Sequence, residues 1–402
     1  MNRKRLFFLG ISPHHVKLSI ERAKRLGFEV IFGDSAEKMN AYSQLVAQAD
    51  QRVIVDYTSY ESVLRVVQQL QQEAPLDAIF TFKEAGALVV AQVIEQLHLY
   101  GNHPDVIEHC NDKFSTRQLL KQAGFAGPSY ALCSTLQELK HFFQQVQSPI
   151  VIKPHNLMGS VGVIKIEAER ELEKAFTSCL SYSQEPVILA EEFIHGREIS
   201  LEAMVYHGQI ILFGVTEKLL YPDSFVEAGH ITPDSGQELS IADYREILHR
   251  ITQALGITFG PLHIEGFHTR QGFMPGEVHT RYGGDQIVLL TEMAKKCDML
   301  SPVFAELGHF PYDVTFGSPQ EFSGIRFLDV KPGIVVAVEG MEALRQVPGV
   351  VNYHVSCQPG DSVSQPGSSF ERVGWIVARA ATREALQSIF QQALRTLHII
   401  TQ

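Results

Sequence analysis

Two glutamates occupy a segment that predicts a β-hairpin. Pro261–Phe267 predicts one strand, residues 270–272 a turn and Phe273–Thr280 the returning strand. Because side chains alternate along a strand, Glu265 and Glu277 can lie across the pair on one face. Neighbouring buried carboxylates repel unless a cation lies between them, and Mg²⁺ takes carboxylate oxygens, water and substrate phosphates as ligands. The spacing therefore predicts a Mg²⁺ site, with an ordinary hairpin carrying surface glutamates as the alternative.

Two loops have the residues of anion-binding segments. Arg281 follows the hairpin with a guanidinium, and Gly283-Gly284 lets backbone approach a ligand. Earlier, Lys153 ends a predicted strand and precedes residues 154–162, which contain two glycines and a serine. Backbone N–H groups of such a loop can surround phosphates beside the lysine charge. It is not a P-loop, since no Gly-Lys-Ser/Thr follows and the next element predicts a strand; a glycine-containing hairpin is the alternative.

A third candidate segment is an apolar strand whose end carries acids. Val187–Glu191 predicts the strand, and Glu192, Phe193 and Ile194 follow it. Such a strand end exposes backbone that could bind an adenine edge, and Glu198 could accept hydrogen bonds from ribose hydroxyls. The alternative is a solvent-exposed acidic strand end.

Composition sets the class of protein that carries these segments. The 402 residues are 45% hydrophobic and 20% charged, which predicts a globular chain of two or three domains. A net charge of −11 argues against general nucleic-acid binding but allows a local lysine cluster. The five cysteines are scattered and form no CxxC pair, so neither a disulfide framework nor a zinc site is predicted. No apolar run approaches the roughly 20 residues that span a bilayer. We expect a cytoplasmic protein without a membrane partner.

The first third of the chain alternates strands and helices, which predicts a parallel sheet with helices on both faces. It resembles a Rossmann-type sheet but lacks the GxGxxG fingerprint, so we expect a scaffold and part of a substrate wall. Residues at strand ends that could line this wall are His14, His15 and Glu84. The predicted elements are the strands Leu6–Ile11, Glu29–Phe32, Arg52–Val55 and Ala78–Phe82 and the helices Val16–Leu26, Tyr60–Gln72 and Ala85–Leu97.

Beyond this sheet the pattern predicts a small α+β unit and then a strand-rich region. The predicted domains are residues 1–112, 113–197 and 198–402. The Gly/Ser/Pro-rich segment Gln358–Ser369 predicts an exposed loop. The predicted helices after the first domain are Lys113–Gln122, Leu136–Gln145, Arg170–Ser181, Ala242–Leu255, Leu289–Leu300 and Arg383–Ile399.

Five motifs in order give the chain a family resemblance over almost its whole length. They are Asn111-Asp112-Lys113, Ile152-Lys153-Pro154 with its glycine loop, AEEFIHGREIS at 190–200, Glu265, and Glu277-Val-His-Thr-Arg281 with Gly283-Gly284-Asp285. This order resembles the ATP-grasp superfamily, which implies a Rossmann-like N-terminal domain, a small central ATP-binding lid domain and a C-terminal α+β domain. Within it, three further segments resemble the L-amino acid ligase branch: Thr216–Lys218, Phe225–His230 and the tail from Gly374 to Ala385.

The resemblance implies a role for each matching residue. Lys113 and Lys153 would bind ATP phosphates, with a loop containing Met158, Gly159, Ser160 and Gly162 folded over them. Glu191, Glu192, Phe193 and Ile194 would line the adenine site, Glu198 would take the ribose, Lys218 would lie near the γ-phosphate, Glu265 and Glu277 would hold Mg²⁺, and Arg281 would face an acyl phosphate.

One position departs from the family pattern. The family usually has Asn two residues after the second metal glutamate, and this chain has His279. An amide oxygen suits Mg²⁺, whereas imidazole suits softer ions. His279 could contact phosphate, ligate through water or belong to a site that tolerates Mn²⁺; the alternative is a residue that only fills space beside the metal.

The implied reaction is ATP-dependent ligation of a carboxylate to an amine through an acyl phosphate, giving a dipeptide-like amide, ADP and phosphate. Glu227 or His230 would receive or orient the amine. The expected substrates are amino acids or their derivatives, the expected assembly is a homodimer, and the expected setting is peptide antibiotic biosynthesis. The alternatives are a biotin carboxylase-like or formyl-phosphate-type transfer, which would share the nucleotide residues, and a non-catalytic nucleotide-binding module.

Overall fold

A computed structural model describes residues 3–155, 157, 159–183, 185–236, 238–318 and 321–402. Met158, one of the predicted nucleotide-binding residues, lies outside them. No helix in these ranges is both long and apolar enough to cross a membrane.

The N-terminal region is the predicted parallel sheet with helices on both faces. Its strands pair in the order β3-β2-β1-β4, all parallel. Alternation along β1 explains the two layers, since Phe8 packs in one hydrophobic core and Phe7 in the other. The elements are β1 Lys4–Leu9, α1 Val16–Leu26, β2 Phe28–Asp34, α2 Ala36–Ala41, β3 Gln51–Ile54, α3 Tyr60–Glu73, β4 Ala78–Thr81 and α4 Glu84–Gln96.

Two helices connect this sheet to the rest of the chain. They are α5, Pro104–Asn111, and α6, Lys113–Gln122. Asp112 separates them and caps α6, because its side chain accepts a hydrogen bond from the backbone N–H of Phe114. Leu120 packs into the core of the C-terminal sheet. The cap therefore places Lys113 at the start of a helix anchored on the C-terminal region.

The small unit is a four-stranded antiparallel sheet with two helices. The strands pair in the order β5-β8-β6-β7. Its hydrophobic core is formed by buried side chains from the segment between Cys133 and Ala190. The elements are β5 Tyr130–Cys133, α7 Leu136–Val146, β6 Ile150–Lys153, β7 Ile164–Ile166, α8 Leu172–Leu180 and β8 Ile188–Glu192.

The C-terminal region is an eight-stranded antiparallel sheet with a three-stranded sheet beside it. The elements are β9 Arg197–Tyr206, β10 Gln209–Leu220, β11 Glu227–Thr232, α9 Ile241–Leu255, β12 Gly260–Thr269, β13 Gly272–His279, α10 Ile287–Lys295, α11 Leu300–Leu307, β14 Phe322–Phe327, β15 Gly333–Glu339, α12 Met341–Leu344, β16 Val350–Val355, β17 Ser362–Val363, β18 Gly374–Ala380, α13 Arg383–Thr396 and β19 His398–Thr401. The large sheet has the order β13-β12-β9-β10-β11-β14-β18-β16, and the small one β17-β15-β19.

Two predicted helices are wrong in extent. The single helix Leu289–Leu300 is the pair α10 and α11, because the carboxylate of Asp298 accepts hydrogen bonds from the backbone N–H groups of Leu300 and Ser301 and starts a new helix. The helix predicted to run to Ile399 ends at Thr396, and the β-branched residues after it form β19, which pairs with β15.

Candidate active site

A cavity of about 800 Å³ lies between the small sheet and the large sheet. The structure brings most of the predicted site residues to its wall. Gly162, His230, His279 and Arg281 are not among the residues that line it. The predicted residues that do are Lys113, Lys153, Gly159, Ser160, Glu191, Glu192, Phe193, Ile194, Glu198, Lys218, Glu227, Glu265 and Glu277.

The hairpin of β12 and β13 places the two predicted metal ligands opposite each other. Ile264 pairs with Val278, and the register then shifts by one residue before Gly266. At this bulge Gly276 and Glu277 together oppose Glu265. A side chain at Gly276 would start 3.0 Å from the carbonyl oxygen of Glu265, so glycine allows the close approach. The bulge thus brings both carboxylates to the cavity wall.

At one end of the cavity, cations outnumber the carboxylates that hold them. The ammonium of Lys153 lies 2.7 Å from Glu191 Oε2 and 3.6 Å from Glu277 Oε1, and that of Lys113 lies 3.4 Å from Glu277 Oε2. The Arg117 guanidinium also binds Glu191. Burial alone raises the pKa of Glu191, but Arg117 and Lys153 outweigh it, and the pKa falls to about 2. We call these five side chains the positive cluster.

Arg117 was missed in the sequence. Its guanidinium donates to the carbonyl oxygens of Pro275 and Gly276 at 2.7 and 2.9 Å, so it joins α6 to the hairpin as well as to Glu191. The signal was available, because Arg117 follows Lys113 by four residues and therefore shares its helix face.

At the other end, one cation serves three carboxylates. Lys218 Nζ lies 2.6 Å from Glu198 Oε1, 3.0 Å from Glu265 Oε2 and 3.6 Å from Glu227 Oε1. Burial lowers the pKa of Lys218, but the carboxylates outweigh it and hold that pKa well above its ordinary value. Burial raises the pKa of Glu198, and Lys218 offsets part of that rise. We call these four side chains the negative cluster.

His263 supports the negative cluster and was also missed. One ring nitrogen contacts the buried carboxylate of Glu202, and Nε2 lies 3.2 Å from Glu265 Oε1. Burial lowers the pKa of His263, but the two carboxylates outweigh it and raise the pKa to about 9. His263 precedes Glu265 by two residues on the same strand face, which was the available signal.

The divergent His279 lies between two carboxylates. Its Nδ1 is 3.2 Å from Glu84 Oε2, although not in hydrogen-bonding geometry, and its Nε2 is 3.6 Å from Glu277 Oε2. Glu84 also accepts from Arg281 Nε at 2.7 Å. Burial raises the pKa of Glu84, but His279 and Arg281 outweigh it and lower the pKa to about 2. Glu84, predicted only as a wall residue, thus joins the histidine to the predicted acyl-phosphate arginine.

The strand end predicted to bind adenine offers a backbone N–H group to a ligand at one position, Ile194. The N–H of Glu192 donates to Ser129 and that of Phe193 to Pro149, both at 2.8 Å. The N–H of Ile194 makes no backbone hydrogen bond within the described residues, so it can donate to a ligand. The Phe193 ring lies 4.4 Å below the ammonium of Lys165, and both residues line the cavity.

Residues 159–161 of the glycine loop line the cavity. Gly159, Ser160 and Gly162 all have positive φ, which turns the backbone tightly. The Ser160 hydroxyl donates to the carbonyl of Phe225 at 2.9 Å, and the ammonium of Lys113 donates to the carbonyl of Leu157 at 2.7 Å. The loop is therefore fastened to both α6 and the C-terminal region.

A segment from the end of the chain completes the site. The Ser369 N–H donates to the Gly159 carbonyl at 3.1 Å, and its hydroxyl donates to Glu227 Oε2 at 2.7 Å. The prediction that Gln358–Ser369 is an exposed loop is therefore wrong at its end. It is also wrong at Ser362–Val363, which pairs as β17. The bland Gly/Ser/Pro composition gave no sign of these contacts.

His230 reaches the same segment through a carboxylate. Its Nε2 lies 3.0 Å from Asp285 Oδ2, and its Nδ1 is buried without a hydrogen-bond partner among the described residues. Arg372 binds both oxygens of Asp285, at 2.8 and 2.6 Å. The structure thus groups His230 and Glu227 near the C-terminal segment and adds Arg372.

Three family models match the chain in sequence order. The ATP-grasp N-terminal domain matches residues 20–101, the ATP-grasp domain residues 146–288, and the L-amino acid ligase C-terminal domain 2 residues 326–402. The chain carries ATP-grasp domains followed by an L-amino acid ligase C-terminal domain. The resemblance and the fold class predicted from the motifs are confirmed.

The relatives differ in how much of their own length aligns with this chain. The uncharacterized protein y4rH of Sinorhizobium fredii is 23% identical over 401 residues, 98% of this chain and 82% of its own. The alanine–anticapsin ligase of Bacillus subtilis is 25% identical over 226 residues, 50% of this chain and 48% of its own. The crystal structure of an L-amino acid ligase from Bacillus licheniformis superposes with a TM-score of 0.82 at 23% identity, covering 100% of both chains, which shows the shared fold.

Proposed function

We propose that this protein joins the carboxylate of an amino acid or amino-acid derivative to the amine of a second amino acid, using ATP and an acyl-phosphate intermediate. The products are a dipeptide-like amide, ADP and phosphate. The observation that carries the proposal is the pair of oppositely charged clusters on the wall of one cavity, which residues 159–161 of the glycine loop also line. A positive end suits a triphosphate, and a negative end suits a metal ion, ribose hydroxyls and an amine.

The positive cluster would hold the phosphates. Lys113 and Lys153 each touch Glu277, so both ammonium groups are fixed at the cavity wall. Backbone N–H groups of the glycine loop add donors from above. In-line attack by the substrate carboxylate on the γ-phosphorus spreads negative charge over the transferring oxygens, and fixed cations stabilise that charge without reorganising.

The donor set of Glu265 and Glu277 fits a hard divalent cation. Both are carboxylates, they lie on directly opposed strand positions, and each is held by a lysine ammonium at the cavity wall. A Mg²⁺ ion bound there would offset the charge of the triphosphate. His279 contacts Glu277 rather than lining the cavity, so we propose that it orients this carboxylate.

The negative cluster would hold the amine. Glu227 lies 3.6 Å from Lys218 and accepts from Ser369, so its carboxylate has a fixed position at the wall. There it can bind an ammonium or accept a proton as the amine attacks the acyl phosphate. Water would destroy the acyl phosphate, and the folded glycine loop excludes it.

The test is a substrate screen with product analysis. The protein is mixed with ATP, Mg²⁺ and pools of amino acids, and phosphate release is compared with the mass of new amides. We expect phosphate stoichiometric with amide, and oxygen-18 from the substrate carboxylate in the released phosphate. Accumulation of AMP and pyrophosphate would show that the intermediate is an acyl adenylate and not an acyl phosphate. Product formed only with bicarbonate or formate, as a carboxylated or formylated amine, would favour the transfer chemistries.

The match of residues 326–402 to an L-amino acid ligase domain favours amide synthesis over those transfers. A binding module without chemistry would not need both cavity-wall carboxylates opposite each other. We also propose that the protein forms a homodimer and acts in peptide antibiotic biosynthesis.

A further inference from the structure

Arg117 is a buried arginine that has no assigned part in the proposed chemistry. Its side chain is 7% exposed and lines the cavity. It lies one turn after Lys113 on α6, so both side chains project from the same face of the helix. Burying a guanidinium is costly unless its donors are paired, so the groups that Arg117 binds indicate what it does.

The first of these groups is a pair of carbonyls at the β13 bulge. Arg117 Nη1 donates to the carbonyl oxygens of Pro275 and Gly276 at 2.7 and 2.9 Å. Consecutive carbonyls of a regular strand point to opposite edges, but here both meet one nitrogen, because the extra residue of the bulge interrupts the alternation. β13 ends the large sheet in the described part of the chain, so Arg117 takes the place that a further strand would occupy.

The second group is the carboxylate of Glu191 on β8. Arg117 Nε binds one of its oxygens, and Lys153 Nζ lies 2.7 Å from the other. A carboxylate with a cation on each oxygen has a fixed position, and its contact with Nε fixes the plane of the guanidinium. The direction in which Nη1 points toward the bulge is therefore set by β8, the strand proposed to bind the base.

The contacts of Arg117 act on the residue that follows the two carbonyls, Glu277. Gly276 and Glu277 together oppose Glu265 at the bulge. Lys113 lies 3.4 Å from Glu277 Oε2, so one face of α6 holds Glu277 both by its carboxylate and by the backbone that precedes it. Buried carbonyls that lost their donor would have to turn to other partners, and the Glu277 side chain would turn with them.

We infer that Arg117 is a positioning residue for the metal site, which holds the backbone of the β13 bulge so that the Glu277 carboxylate stays opposite Glu265 at the cavity wall. This inference rests on the proposed function, which assigns the two carboxylates their ion. It adds that the geometry of the metal site depends on a side chain outside the ligand set. Through this one guanidinium, the strand proposed to bind the base is joined to the strand that carries the metal ligand.

The experiment is a double-mutant cycle on binding, without turnover. Calorimetry measures the dissociation constant of the Mn²⁺ complex of a non-hydrolysable ATP analogue for wild type, Arg117→Lys, Glu277→Gln and the double variant. Arg117→Lys keeps a positive charge beside Glu191, but an ammonium lacks the planar fork that serves the carboxylate and the carbonyls together. Arg22→Lys is the matched control, because the Arg22 side chain is 14% exposed and its fork binds Glu292 at 2.6 and 2.9 Å, outside the cavity lining.

We expect Arg117→Lys to weaken binding of the Mn²⁺ complex by about 10-fold, the lower limit for a lost orienting partner. In the Glu277→Gln background the same change should weaken it by less than about 2-fold, because the carboxylate that Arg117 positions is already gone. Arg22→Lys should leave the dissociation constant unchanged. Amide hydrogen exchange in residues 273–279 should be faster in Arg117→Lys than in wild type, and thermal unfolding checks that each variant is folded.

Unchanged binding by Arg117→Lys would overturn the inference. An equal loss in both backgrounds would also overturn it, since Arg117 would then act on the phosphates through Glu191 and Lys153 and not through Glu277. If wild type does not bind the Mn²⁺ complex, the proposed function fails and this inference fails with it. If wild type binds it and the cycle shows no coupling, only this inference fails.

Discussion

The positive and negative clusters differ in how the charges are shared. In the positive cluster, Glu191 serves both Arg117 and Lys153, so cations exceed carboxylates. In the negative cluster, Lys218 serves three carboxylates. The positive cluster has an excess of cations and the negative cluster an excess of carboxylates. The proposed ligand of each cluster brings the opposite charge. The inversion along one cavity orients a triphosphate and its metal in a single direction.

The clusters also differ in how far the fold depends on them. Glu191 is 5% exposed, and each of its oxygens meets a cation. Removing one partner of a buried pair leaves an uncompensated charge. In the negative cluster, by contrast, removing one carboxylate relieves repulsion between the others. Stability should therefore rest on Glu191 and its two cations, amine binding on the negative cluster, and metal binding on Glu277 and Glu265, one carboxylate from each cluster.

The largest effect on stability is expected from Glu191→Gln. It leaves Lys153 and Arg117 buried without their shared carboxylate, and we expect a loss of about 3–5 kcal/mol in the free energy of unfolding. The matched change Glu198→Gln should cost less than about 1 kcal/mol, because Lys218 keeps two carboxylates. Urea unfolding at neutral pH measures both. Equal losses would show that the two clusters do not differ in this way.

The pH dependence of the same pair sharpens the comparison. The pKa of Glu191 is lowered from 4.5 to about 2 in the folded protein, so its contribution is present above pH 4.5 and is lost as pH falls toward 2. We expect wild type to lose up to about 1.4 kcal/mol of this contribution per pH unit within that window. Glu191→Gln lacks this contribution, so its deficit against wild type should stay nearly constant above about pH 5 and shrink as pH falls from about 4.5 to about 3. A constant deficit would contradict the linkage.

The largest effect on activity is expected from Glu277→Gln, since Glu277 belongs to the positive cluster and faces Glu265. Removing one anionic ligand should reduce kcat by more than about 100-fold, beyond the 10- to 100-fold cost of losing a residue that merely orients a ligand. Steady-state rates with saturating ATP and Mg²⁺ measure it. Glu246→Gln, on the exposed face of α9, is the control. If Glu277→Gln kept more than a tenth of the wild-type rate, Glu277 would not be a ligand of the metal.

Sequence patterns predicted elements whose cause is local. The helix Lys113–Gln122 and the hairpin of β12 and β13 are set by neighbouring residues, and both formed as predicted. The glycine and acidic motifs contain most of the predicted residues that line the cavity, although Gly162, His279 and Arg281 do not line it. The break between α10 and α11 was missed because the helical spacing of apolar residues continues across Asp298, whose carboxylate caps the second helix.

Contacts between distant segments could not be predicted in the same way. Ser369 meets Gly159 and Glu227, more than a hundred residues away, and the sequence around it has no motif for that role. Arg281 was predicted for the acyl phosphate, and only the folded chain reveals its ion pair with Glu84. Which cation shares which carboxylate is decided by tertiary packing.

His279 tests whether the metal end depends on residues behind the cavity wall. His279→Ala removes the group that touches Glu277, and we expect the Mg²⁺ concentration needed for half-maximal rate to rise by about 10-fold, the lower limit for lost orienting partners. His279→Asn should stay near wild type, because an amide can still donate to Glu277. Rates are measured against Mg²⁺ and Mn²⁺ for the three proteins. Identical curves for wild type and Ala would make His279 a packing residue.

The smallest effect is expected where the negative cluster meets the C-terminal segment. Ser369→Ala removes the hydroxyl that donates to Glu227, while the backbone N–H that fastens the glycine loop remains. A hydrogen bond to a charged group contributes about 1.5–3 kcal/mol when both partners are dry and less at a cavity wall, so we expect a loss of several-fold in amide formation. Because Ser369 loses its anchor on Glu227, its backbone N–H should hold the glycine loop less firmly, and more phosphate should be released per amide formed. Ser388→Ala, on α13 of the same domain, is the control. A lower rate with an unchanged ratio of phosphate to amide would mean that Ser369 orients Glu227 without helping to exclude water.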